Sequence, residues 1–366
     1  MDTAQRLTLV GTAALALAWL VWPSPDRPET ETVAPDTTPT VWANWDTEPV
    51  DWPGLVEGRA WTPLAFLDED DPKTDAALGT DETGALLYLE RDALGEATAT
   101  TVAEPGAVPG VIAAAATDDR LAWIVSIPDE QGRVASQLWT APRGEDGRPG
   151  PGELLTADTG DVIASGSAYD LQFAAEGLHW LSMARSETRV TEHRSVPVGG
   201  GEVAVDELGG SWQAAAWPWL ASAGSDSLGG AQLVRGDTGA GVKVFAGEDE
   251  LTLCSATWCR LVVTAADGSR IDLVRPDGTG RVTVAEGFTS AVSPDVGLID
   301  RFEPLSESVS AVGEGLRVTL FDLEAGEAFL VASTASGTGA DARSLWWSTG
   351  TGELLVWHVL DLTRLA

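Results

Sequence analysis

The chain has 366 residues, 44% of them hydrophobic, and sets 22 Lys and Arg against 56 Asp and Glu for a formal net charge of −34. That length and apolar content suffice for one large repeat domain or two ordinary ones. The charge argues against binding nucleic-acid backbones or anionic lipid through the general surface field, because like charges repel.

Arg6 precedes an apolar run from Leu7 to Trp22 that Pro23 closes. The run falls between the usual signal-peptide core of about 7–15 residues and the usual spanning helix of about 17–25. Ala14-Leu15-Ala16 and Ala16-Leu17-Ala18 both fit a small-x-small cleavage site, yet cutting there leaves Trp19-Leu20-Val21-Trp22 as an apolar new terminus. Indole rings gather at membrane interfaces, and Arg6 can snorkel on the near side of a short span. Residues 1–22 are therefore expected to form an uncleaved signal anchor, with a cleaved signal peptide as the alternative. Arg6 before the run and Asp26, Glu29, Glu31 and Asp36 after it place the body outside the cytoplasm.

Residues 23–53 carry seven prolines among Thr, Glu and Asp, a composition that gives an extended spacer and no core. Trp42, Trp45 and Trp52 near its end are too apolar for a free linker and are expected to dock on the following domain, residues 54–366.

That domain repeats. A β-type run ending in a charged or turn residue recurs at Ala85–Arg91, Ser136–Pro142, Thr191–Pro197, Ala231–Arg235, Arg270–Arg275, Leu316–Leu323 and Leu354–Asp361, roughly 37 to 55 residues apart. An earlier strand precedes most copies, as at Leu121–Ser126, Leu178–Met183, Trp217–Ala221, Trp258–Thr264, Leu298–Phe302 and Ser344–Ser348. The unit is cleanest from Leu253 to Val284, where short β runs alternate with Asp-Gly and Thr-Gly turns. Short strands with a superperiod near 40–45 residues mean an all-β propeller of four-stranded blades. Seven blades are expected, six being the alternative. The seventh copy has no outer strand after it, and the Trp-rich stretch 41–59 is positioned to supply one.

Candidate chemistry is sparse. Cys254 and Cys259 flank a four-residue hairpin loop, and outside the cytoplasm they are expected to form a disulfide. Two cysteines with no nearby His make a poor zinc site. His179, His193 and His358 read as scattered over three blades, without a metal-ligand or general-base motif. No nucleophile elbow or phosphate-binding Gly-Lys loop occurs. The cluster Asp68-Glu69-Asp70-Asp71 with Asp75 lacks the spacing of a calcium loop. No cofactor and no metal are expected. Trp217-Pro218-Trp219 and Trp346-Trp347 set indoles on opposite strand faces, so one of each pair is a candidate exposed contact for peptide or sugar.

Cys254-x4-Cys259 around a Trp, Leu298-Ile299-Asp300-Arg301-Phe302, Leu345-Trp346-Trp347-Ser348-Thr349-Gly350 and Trp357-His358-Val359-Leu360-Asp361-Leu362 resemble the extracytoplasmic β-propeller proteins of actinobacteria called TolB-like. The resemblance covers residues 60–366 and implies the fold of a protein-interaction platform. The expected function is a membrane-anchored binding or scaffold module for a protein or glycan of the cell envelope. The alternative is a glycan hydrolase or lyase using carboxylates at the central channel, which a deep pocket of converging charged groups would favour.

Overall fold

A computed structural model of the protein describes residues 40–41, 47–67, 75–104, 110–128, 134–174, 177–186, 188–265, 268–309 and 315–365. The signal anchor of residues 1–22, nearly all of the Pro-rich spacer, Trp42, Trp45 and residues 68–71 of the acidic cluster lie outside these. Among the described residues, regular structure is all β apart from three short 3₁₀ turns, and no helix is long and apolar enough to cross a membrane.

Seven antiparallel sheets follow one another along the chain and form the blades of a propeller. They are blade 1 (residues 59–103), blade 2 (111–156), blade 3 (161–209), blade 4 (212–245), blade 5 (250–287), blade 6 (289–335) and blade 7 (337–361). Each has four strands, a to d, in chain order except for strand d of blade 7, with a nearest the central channel. The d strands form the outer wall, as the exposed residues of Ala204–Gly209 and Gly241–Phe245 show. The seven repeated runs seen in the sequence are the seven c strands. The six-blade alternative is thereby excluded.

Blade 7 receives its d strand from the amino-terminal side. Val50–Pro53 pairs antiparallel with Val356–Asp361, Val50 opposite Val359 and Pro53 opposite Val356. The expected donor, residues 41–59, thus contains the strand that closes the ring. Trp52 is 1% exposed and docks as expected. Gly54 is required just beyond the strand, since a Cβ there would lie 2.5 Å from Leu355 Cβ. Thr40–Val41 adds a further parallel strand outside Glu327–Ala335 of blade 6.

Six apolar clusters fill six of the seven seams between neighbouring blades. A propeller blade is covered on both sheet faces by its neighbours, so its middle strands are apolar on both sides. The seam between blades 3 and 4 differs: rings and hydrogen bonds fill it. Gln172 Nε2 donates to the Ala215 carbonyl, and Trp217 N donates to Gln172 Oε1.

One expected strand shifts. Leu298–Arg301 forms a tight turn, with Ile299 and Asp300 at φ of 47° and 63°, and blade 6 strand b runs Phe302–Ser308. The apolar pair Leu298-Ile299 reads as strand, but Phe302 N bonds back to the Leu298 carbonyl, which closes a turn.

Candidate functional site

The central channel has two mouths. The a–b and c–d loops surround the lower one, and the b–c and d–a loops surround the upper.

A strap crosses the lower mouth. Strand a of blade 3 is split into Asp161–Val162 and Leu171–Ala174, both paired with Gly177–Met183, and residues 163–170 loop out between them. Asp170 holds this strap in shape, accepting hydrogen bonds from the backbone N–H of Ser165, Gly166 and Ser167 and from the Ser165 hydroxyl. Ser167 Oγ and Ala168 N at its tip donate to the Asp295 carboxylate. Asp295 belongs to blade 6, three places round a seven-membered ring, so this contact crosses the channel. Behind it Arg260 bonds Glu303 Oε1 and the carbonyls of Ser293 and Asp295, and both charged side chains are buried. Asp341 accepts from Arg343 N, Ser344 N and Phe66 N.

Burial pushes Asp341 up to about 6 and raises Asp170 and Asp295. It also takes Tyr169 to about 12, with Asp295 and Asp341 adding to the effect. Converging carboxylates of this kind are what an enzyme reading looks for. Here backbone amides hold each one, and the void beside Ser167, Tyr169 and Asp295 measures about 10 Å³, about one water. That void is too small for a substrate.

The upper face carries a larger hollow. Between blades 2 and 3 lies a cleft of about 710 Å³, within the range of small-ligand and side-chain pockets. Arg194, buried to its tip, organises the wall. Its Nε donates to Ser182 Oγ and Glu192 Oε2, and its Nη1 to Asp158 Oδ1. Gly160 sits at φ +67°, and a Cβ there would lie 2.5 Å from Ser182 Oγ and 2.8 Å from Arg194 Nε, so only glycine lets the loop pass. Asp161 and Arg185, both exposed on the rim, have no ion-pair partner among the described residues.

Exposed apolar side chains gather on the same face. Val134 and Met183 border the cleft, Leu228 and Phe245 end strands or loops of blade 4, and Leu251 and Phe288 flank blade 5. Val309 and Leu354 continue the series on blades 6 and 7. Among the described residues, the lower loops show Leu94, and Leu154, Val205 and Val242 stand near the lower ends of d strands. No periodicity in the sequence marks this group, because its members stand singly in loops or at strand ends. Their one local signal is a neighbouring glycine or carboxylate, as in Glu286-Gly287-Phe288.

The residues singled out in the sequence are placed as follows. Cys254 and Cys259 are disulfide-bonded, opposite one another at the a–b hairpin of blade 5. Trp258 in that hairpin packs in the seam with blade 6, its indole N–H on the Asp300 carbonyl and the Arg275 guanidinium 3.7 Å above its ring. Trp346 and Trp347 are both buried, against the expectation that one is exposed. Trp346 faces blade 1, 5.4 Å from Phe66, and Trp347 faces blade 6, because both faces of a blade's second strand are seams. Trp217 and Trp219 are half-buried, and Trp219 lies near Arg235.

The histidines correct the sequence reading of three blades. His179 and His193 share blade 3 on adjacent strands, Nδ1 to Nε2 at 3.0 Å, and Trp217 of blade 4 stacks on both at 4.4 Å. The Ala174 carbonyl accepts from His179 Nε2, so His179 Nδ1 accepts from His193. Burial, reinforced by His193, lowers His179 to about 4, and burial lowers His193 despite nearby Asp206. The two nitrogens face one another and leave no space between them for a metal. His358 stands apart on blade 7, bonded to Asp51 and Thr349.

The fold is a closed seven-bladed β-propeller with a strap across its lower end and exposed apolar side chains on its upper face. No family model matches the chain, and no curated protein does. Among solved structures it is similar to a puromycin hydrolase S511A mutant complexed with PGG, at 14% identity and a TM-score of 0.52 over 80% of this chain and 47% of that one. It is also similar to a puromycin-hydrolyzing peptidase of Mycobacterium tuberculosis, at 15% identity and a TM-score of 0.51 over 83% of this chain and 51% of that one. A TolB candidate of Agrobacterium tumefaciens aligns at 15% identity over 63% of this chain and 82% of that one, with a TM-score of 0.37. At such identities the first two likenesses speak for the propeller fold alone, and the chain spans about half the length of those two hydrolases.

Proposed function

We propose that the chain is a membrane-anchored extracytoplasmic propeller that binds a protein of the cell envelope through its upper face. The observation that carries this reading is the segregation of exposed apolar side chains. Of the thirteen large exposed ones among the described residues, eight lie in upper loops or at the upper ends of strands, against Leu94 in a lower loop and Leu154, Val205 and Val242 near the lower ends of d strands. Single exposed apolar residues are ordinary, but their concentration on one face of a ring suits a surface that another protein covers. The exposed contacts are Leu, Val, Met and Phe, which suit a protein ridge better than the flat indoles that sugars stack on. The anchor rests on the apolar run Leu7–Trp22 and the charges on either side of it.

A photoreactive amino acid placed at residue 288, 354 or 94 of the full chain in intact cells tests the face. Discrete adducts from 288 and 354 and none from 94 are expected. Equal labelling at all three positions, or none at all, sinks the reading. A carboxy-terminal tag should fractionate with the membrane and be cut by external protease after wall removal, and its release into the medium would show a cleaved signal.

A further inference from the structure

Carboxylates interleave with the exposed apolar residues of the upper face. Glu248 and Asp249 lie between Phe245 and Leu251, Glu286 two residues before Phe288, and Glu353 beside Leu354. All four carboxylates are exposed, and none forms an ion pair among the described residues. Of the cations nearby, Arg189 pairs with Asp226, Arg317 with Glu307 and Arg59 with Glu57, while Lys243 lies 5.3 Å from the Phe245 ring centroid with no ion-pair partner among the described residues. Arg185 at the cleft is the one upper-face arginine without an ion-pair partner among the described residues.

We propose that the upper face docks a cationic amphipathic segment of a partner protein, an apolar ridge flanked by Lys or Arg. This rests on the reading of the upper face as the binding surface. Apolar anchors with a rim of one charge sign select a partner of the opposite sign, which speeds encounter and rejects like-charged surfaces. The same sign turns away nucleic acid, anionic lipid and a second copy of this chain, which carries a net charge of −34. The cleft between blades 2 and 3, with Met183 and Val134 at its edge and Asp161 on its rim, takes one side chain of that segment, an apolar stem with a cationic head.

The test uses the full chain in a neutral detergent and two synthetic 18-residue helical peptides, one of Leu and Lys and one of Leu and Glu in the same pattern. The Leu/Lys peptide should bind saturably, as followed by fluorescence anisotropy, and the Leu/Glu peptide should not. Phe288→Ser with Leu354→Ser should weaken binding about tenfold, the scale of losing central apolar anchors. Those side chains are 73% and 80% exposed, so the variant keeps its melting temperature. Replacing Glu248, Glu286 and Glu353 by Gln should weaken it by a similar factor and flatten its dependence on salt. Replacing three exposed lower-face acids, Glu96, Glu145 and Glu202, by Gln should leave it unchanged. Equal loss from the upper and lower sets would mean bulk attraction to an acidic protein and would overturn the proposal, as would absence of saturable binding. Adducts from 288 and 354 alongside a failed Leu/Lys peptide would keep the binding face and refute only its cationic partner.

Discussion

Closure of the ring is the feature most open to direct challenge, and Trp52→Ala is the perturbation that isolates it. Trp52 sits on the four-residue strand that completes blade 7, edge-on to Trp61 and Phe66 at 5.8 Å each, in the cluster that joins blades 7 and 1. Truncating a fully buried tryptophan costs about 3–5 kcal/mol, transfer and cavity terms together. Residues 50–365 carry an unfolding entropy of about 0.65 kcal/mol per kelvin at the usual value per residue. A loss of about 4 kcal/mol therefore lowers the melting temperature by about 6 °C. Calorimetry beside denaturant titration separates two outcomes. An unchanged denaturant slope means a local cavity, and a reduced slope means that Val50–Pro53 has left the sheet and the native state begins part-open. A drop below about 2 °C would refute the reasoning, since the seventh blade would then hold without the aromatic anchor of its borrowed strand.

Two further outcomes follow from the lower mouth and the polar seam. Converting both Cys254 and Cys259 to Ser should lower the melting temperature by about 3 °C, because a loop with a sequence separation of 5 gains only about 2 kcal/mol from chain entropy; loss of folding would show that the bridge decides more than one hairpin. His179, held near pKa 4 against an ordinary 6.5, stays neutral in the folded chain while the unfolded chain takes up a proton. Its contribution is full above pH 6.5 and is lost as pH falls toward 4. The stability difference between the parent and His179→Gln should therefore shrink across that window, and a pH-independent difference would contradict the assignment.

What the sequence determined by itself is what repeats locally. Alternating apolar residues and Asp-Gly turns mark the c strands from Leu86–Arg91 to Val356–Asp361, because strand periodicity needs only neighbours in the chain. Cys254 and Cys259 were legible for the same reason, five residues apart across one hairpin. The outer strand of blade 7 was legible by subtraction, since Trp-rich residues beside a Pro-rich spacer had to bury somewhere.

Ring closure decided the rest. Trp346 and Trp347 alternate as the sequence implies, but closure supplies a blade on each side and buries both. His179 and His193, fourteen residues apart, meet because a hairpin folds them together, and Trp217 reaches them only from the next blade. The strap of residues 163–170 finds Asp295 across the channel at a sequence distance of 128. The gathering of Phe245, Phe288, Val309 and Leu354 on one face arises because each d–a and b–c loop ends on the same side of the ring. That is a consequence of seven blades pointing the same way, and no single stretch of chain contains it.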